Sequence, residues 1–112
     1  MLEDLIKVIR ERKKSNAHNS YTKQLISSGL PKCIDKLQEE FDELKDALNN
    51  DNSNIVHETA DVLYHLLISL EVANIKFEDV LTELENRKKQ SGIEEKKNRK
   101  WITTKIIYLQ KF

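Results

Sequence analysis

Apolar residues in this chain recur mostly three and four positions apart, the spacing that lines one face of an α-helix. Leu2, Leu5, Ile6 and Ile9 mark the first such face, over residues 2–14. The next stretch, "SNAHNSYTKQLISSGL" (15–30), is rich in Ser and Asn and predicts a loop enclosing a short helix. Pro31 suits the first turn of a third segment that runs to about Leu48. "NNDNSN" (49–54) breaks it and offers N-caps to the following helix. That helix, about 54–73, is apolar nearly all round and is expected to be the buried centre of a bundle. A turn at "NIKFEDV" leads to a further helix from about Phe77 to Gln90 and then to the polar "SGIEEKKNRK". The tail "WITTKIIYLQKF" is β-branched and aromatic and has no obvious place in a helical bundle. The expected fold is all-α, a bundle of four to five helices over residues 1–100, with 101–112 as a tail of unknown role.

On a helical wheel of the third segment, Leu37, Phe41, Leu44 and Leu48 fall within about 60° and define the expected buried face. Glu40 lies inside the wider apolar arc, between Ala47 and Cys33. Glu43 sits at its edge beside Lys36, while Asp42 and Asp46 point away. On the following helix Glu58, Asp61, His65 and Ser69 form a single polar stripe among Ile, Val and Leu. An unpaired buried carboxylate costs several kcal/mol or takes up a proton. Two such acids on each of two neighbouring helices therefore point to a shared cation. Mg²⁺ is the natural choice, since it prefers carboxylate oxygens and keeps waters or phosphates in its shell. Such a site suits phosphate chemistry, where a metal bridges phosphoryl oxygens and activates water. A lone EExxE on a Lys- and Glu-rich helix is most often a solvated face; an ExxD on an otherwise apolar helix is harder to explain that way. His65 is expected as a hydrogen-bonded core group, Cys33 as a small core residue and Tyr64 as packing.

Composition narrows the partners. Lys and Arg number 19, as do Asp and Glu, so no net field draws the chain to a nucleic acid polymer or an anionic membrane. "MLEDLIKVIRERKK" carries acids among its apolar residues and does not read as a signal peptide. "VLYHLLISL" (62–70) is far short of a membrane span. With Cys33 as the single cysteine, no internal disulfide is available, and a reducing, cytoplasmic setting is expected.

Four blocks, "SYTKQLISSG" (20–29), "KLQEEFDEL" (36–44), "ETADVLYHLLISL" (58–70) and "LENRKKQSGIEEKKNR" (84–99), occur in unbroken order. Together they resemble the phosphoribosyl-ATP pyrophosphohydrolases of histidine biosynthesis, within the all-α MazG-like nucleotide pyrophosphohydrolases. The resemblance implies a dimeric bundle and Mg²⁺-dependent hydrolysis of the α–β phosphoanhydride of phosphoribosyl-ATP, giving phosphoribosyl-AMP and pyrophosphate. It implies that metal is held by Glu40, Glu43, Glu58 and Asp61, the four acids the wheels turn inward. Glu39 matches the first acid of the motif and is expected to position water. Lys36 is a candidate for phosphate contact. The resemblance adds Arg87, Lys96 and Arg99 as basic substrate-binding positions, and Ser20, Tyr21 and Thr22 as the N-terminal block.

Phe41 and Asp42 are bulkier than the residues the family often carries, and the tail extends past its usual end. A house-cleaning NTP or dNTP pyrophosphohydrolase would use the same acids, though "SYT" and "SG..EK..R" favour phosphoribosyl-ATP. A non-catalytic helical interaction domain would leave the acids solvated. One Cys and three His cannot supply the zinc-type ligands of the cyclohydrolase often fused to this activity, so a monofunctional enzyme is expected.

Overall fold

A computed structural model describes residues 1–15, 20–50 and 53–89 of the chain. The described residues form five helices and no strand: α1 (Leu2–Lys14), α2 (Tyr21–Ser27), α3 (Leu30–Asn50), α4 (Ile55–Val72) and α5 (Phe77–Lys88). The all-α expectation holds, and the short helix in the Ser/Asn-rich loop is α2. The tail 101–112 lies outside the described residues, as does the polar segment 91–100.

Local chemistry sets the boundaries. Glu3 and Asp4 open α1, and Arg12, Lys13 and Lys14 close it, each charge matched to the helix dipole. Ser20 caps α2, its side chain accepting from the Lys23 amide at 3.3 Å. Gly29, at φ +92°, ends that helix in a left-handed conformation that a Cβ would strain. Pro31 sits in the first turn of α3, where its missing N–H leaves no helical bond unmade. After α4, Asn74 takes φ 61° while Ile75 donates back to the Leu70 carbonyl at 2.9 Å.

The chain divides into two compact units, Met1–Phe77 and Glu78–Phe112. In the first, Ile6, Ile9, Leu25, Cys33, Leu67 and Ile68 form the core, with Leu5, Ile26, Tyr64, Val72 and Phe77 packed on it. Polar ties join its helices. Glu71 of α4 takes Arg10 at 3.3 Å and Lys13 at 3.7 Å, both from α1. Lys23 of α2 donates to the Lys13 carbonyl at 2.8 Å. In the second unit, Arg87 donates to Glu83 at 3.0 Å, one turn back along α5.

The largest packing interface joins α3 and α4. The charge of Glu43 acts on Glu58, whereas that of Asp61 acts on Glu40, so the two helices run antiparallel. The leucine-rich face of α3 is not what this interface buries. Phe41 and Leu48 are 52% and 58% exposed, and Leu37 and Leu44 only half-buried. The buried residues of α3 are Cys33, whose thiol donates to the Leu25 carbonyl of α2 at 3.3 Å, and Ala47. Glu40 lies midway between them at heptad spacing. The outward stripe Ile34, Phe41, Leu48 runs one residue farther round, and α4 likewise exposes Val56 and Leu63. Thus α4 is buried on one side, at His65, Leu67, Ile68 and Ser69, and not all round as its apolar sequence suggests.

Ile68→Ala should destabilise the protein by about 2–5 kcal/mol, since Ile68 is almost fully enclosed. Val56→Ala, at a site 82% exposed, should change stability by no more than about 0.5 kcal/mol. Urea unfolding of the two variants checks the burial pattern directly; equal losses would contradict it.

A candidate acidic site between α3 and α4

Glu40 and Glu43 stand one turn apart on α3, and Glu58 faces them from the first turn of α4. One carboxylate oxygen from each of these three acids lies within 4.8 Å of the others. Asp61 belongs to a second group of the same size, formed with Glu58 and His57. Glu58 is common to both. The four acids singled out from sequence therefore converge through Glu58 and do not form one ring. His57, which sequence reasoning passed over, joins them; its i, i+4 relation to Asp61 was the available signal. Its Nε2 lies 3.2 Å from Asp61 Oδ2.

Carboxylates accept hydrogen bonds and cannot donate them unless protonated. Glu43 approaches both Glu40 and Glu58 closely enough that one partner in each contact must carry a proton if they are to bond. Otherwise the acids repel one another. Burial pushes the Glu40 carboxyl above its ordinary range, Glu43 adds to the effect, and His65 opposes it. Glu58 moves the same way, through desolvation first and then through Glu43, against His57. Glu40 Oε2 and Glu58 Oε2 are both shut off from solvent with no hydrogen-bond partner. Two orphaned anionic oxygens in an all-oxygen group fit a hard divalent cation, which would satisfy both without requiring a proton.

The surroundings are ordered by hydrogen bonds. His65, buried on α4, directs Nδ1 to the Asp61 carbonyl at 2.9 Å. A carbonyl only accepts, so Nδ1 carries the hydrogen, and in the neutral ring Nε2 accepts from the Tyr21 hydroxyl at 3.1 Å. Burial raises the Tyr21 phenol above its ordinary value, and Glu40 and Glu39 add to this against Lys36. Tyr21 thus stays a donor while bordering the acids. Thr22, its neighbour in the same block, is buried and bonded to the Tyr64 hydroxyl, which places it in the packing behind the site. Lys36 donates to Glu39 at 3.1 Å, and that bond raises its pKa and keeps it an ammonium. Glu39 itself is exposed and is engaged by this pairing. Arg87 belongs to the second unit, and Lys96 and Arg99 lie outside the described residues.

Known proteins share this sequence over most of its length. Residues 2–88 match the family described as phosphoribosyl-ATP pyrophosphohydrolase. A phosphoribosyl-ATP pyrophosphatase of Rhizobium etli (strain CIAT 652) is 44% identical over 99 residues, covering 88% of this chain and 92% of the relative. One from Roseobacter denitrificans (strain ATCC 33942 / OCh 114) is 42% identical, covering 88% and 94%. Another, from Ruegeria pomeroyi (strain ATCC 700808 / DSM 15171 / DSS-3), is 40% identical over 97 residues, covering 86% and 92%. With its acidic seam built from the two helices that carry the characteristic motifs, the chain belongs to the phosphoribosyl-ATP pyrophosphohydrolase family.

Proposed function

We propose that this chain hydrolyses phosphoribosyl-ATP to phosphoribosyl-AMP and pyrophosphate in the cytoplasm, the second step of histidine biosynthesis, with Mg²⁺ held by Glu40, Glu43, Glu58 and Asp61. The observation that carries this reading is the pair of orphaned carboxylate oxygens on Glu40 and Glu58, acids that α3 and α4 bring into one group in a chain of this family. Water adds to phosphorus at the α–β bridge, the bridging P–O bond breaks, and pyrophosphate departs. Bound Mg²⁺ would supply charge neutralisation for the phosphoryl oxygens and lower the pKa of a water. The carboxylates would hold that charge in place and accept the proton that water loses. Lys36, an ammonium at the rim, suits the developing negative charge on the phosphates, and Tyr21, beside Glu40, would meet the same substrate.

The outward apolar stripes support a homodimer. Ile34, Phe41 and Leu48 on α3 and Val56 and Leu63 on α4 repeat at heptad spacing and stand exposed in the single chain. A groove of about 350 Å³ runs beside Phe41, Leu44 and Leu48.

Pyrophosphate release from phosphoribosyl-ATP should require Mg²⁺, stop with EDTA, and fall by about 10²-fold or more in Glu58→Ala. ATP and dNTPs tested alongside separate this activity from house-cleaning; faster release from them would move the enzyme to that class.

Glu40 and Glu58 bind protons more tightly in the folded protein than in the unfolded chain. The metal-free protein should therefore lose stability as pH rises from the ordinary carboxyl value of 4.5 through their raised values. Mg²⁺ binds the ionised acids, so its increment in Tm should be larger at pH 8 than at pH 5. A thermal melt series with and without Mg²⁺ checks this, and a Tm indifferent to Mg²⁺ at every pH would sink the metal assignment.

Phe41→Glu and Leu48→Glu should each convert dimer to monomer in sedimentation equilibrium. A wild type that sediments as a monomer overturns the dimer.

A further inference from the structure

The second three-donor group, His57, Glu58 and Asp61, differs in kind from the first because it contains a nitrogen. His57 and Asp61 are four residues apart on α4, so their side chains rise from the same helical face, the spacing by which a helix presents two ligands to one metal. Their nearest atoms are 3.2 Å apart. Adjacent ligands in an octahedral shell with bonds near 2.1 Å are separated by about 3 Å, so this distance already matches the edge of a coordination polyhedron. A surface His–Asp pair on a helix would account for that contact alone. It would not account for Glu58, which brings a third donor to the same place while its Oε2 is sealed from solvent and unpartnered. His57 itself is 73% exposed and can turn toward an incoming ion without disturbing the core.

From this geometry we infer that His57 is a nitrogen ligand of the cation bound at Glu58 and Asp61. It biases the site toward first-row transition ions such as Mn²⁺ over Mg²⁺. The inference rests on the proposed cation site and refines which ion that site takes. Mg²⁺ favours oxygen donors and gains little from an imidazole, whereas first-row divalent ions bind imidazole well. His65 cannot play this part, since both of its ring nitrogens are engaged, by Asp61 and Tyr21.

The test is Mn²⁺ binding to the full chain, followed by pulsed electron paramagnetic resonance with competition by Mg²⁺. Wild type should show ¹⁴N modulation on bound Mn²⁺. In His57→Gln that modulation should vanish and the preference for Mn²⁺ over Mg²⁺ should fall by about tenfold, in line with the loss of a metal-supporting group. Bound Mn²⁺ without nitrogen modulation in wild type overturns the role of His57 and leaves the acidic site standing. Persistent modulation in His57→Gln also overturns it. No Mn²⁺ binding by wild type overturns both the ligand and the proposed cation site. The wild-type spectrum decides the matter even if the variant folds poorly.

Discussion

The repulsion among carboxylates in the α3–α4 seam is the constraint on which the rest of the site depends. Glu40 lies midway between the buried Cys33 and Ala47 on the same stripe of α3. The packing of α3 on α4 brings Glu40, Glu43 and Glu58 into one space. Like charges this close in a partly desolvated seam oppose one another, and only protons or a cation can relieve that repulsion without moving the helices. Desolvation first, and then Glu43, raises the carboxyls of Glu40 and Glu58 toward the first remedy, and their orphaned oxygens are suited to the second.

The other helices keep this seam in place. Glu71 fastens the end of α4 to α1 through Arg10 and Lys13, and Lys23 fastens α2 to the end of α1. From α2, Tyr21 reaches His65, and His65 in turn grips the carbonyl of Asp61. The backbone that carries one of the acids is therefore tied to Tyr21, which borders Glu40. Partly exposed ion pairs such as those at Glu71 contribute little energy by themselves. Their value here is directional, since they fix which faces of α1, α2 and α4 meet.

Much of this was legible in the chain, for a definite reason. Helical periodicity survives in sequence, so a bundle of four to five helices and the inward placement of Glu40 are legible in the chain alone. The wheel erred on which apolar face α3 buries. It weighs hydrophobicity, and so favours Leu37, Phe41, Leu44 and Leu48, whereas the residues the fold encloses are the small Cys33 and Ala47. Tyr21 and Thr22 show a second limit. One motif block carries both, yet adjacent helical residues diverge by about 100°, which sends Thr22 into the core and leaves Tyr21 beside the acids. Nor did hydrophobic patterning have any means of weighing His57, an exposed polar residue whose relevance lies in where its neighbours' oxygens point.

The exposed and buried stripes of α3 are offset by a single residue, and this links the site to whatever covers the helix. Ile34, Phe41 and Leu48 follow directly after Cys33, Glu40 and Ala47 in the chain, so a surface closing over the first set lies beside Glu40. Excluding water there lowers the local dielectric. Repulsion among the acids then grows, and so does their attraction for a divalent cation, because both scale inversely with that dielectric. On the proposed reading, in which two copies meet through the apolar stripes and a cation fills the seam, the two events would be coupled through the same patch of solvent. A cation already present would remove the repulsion that association would otherwise strengthen, so each event would favour the other.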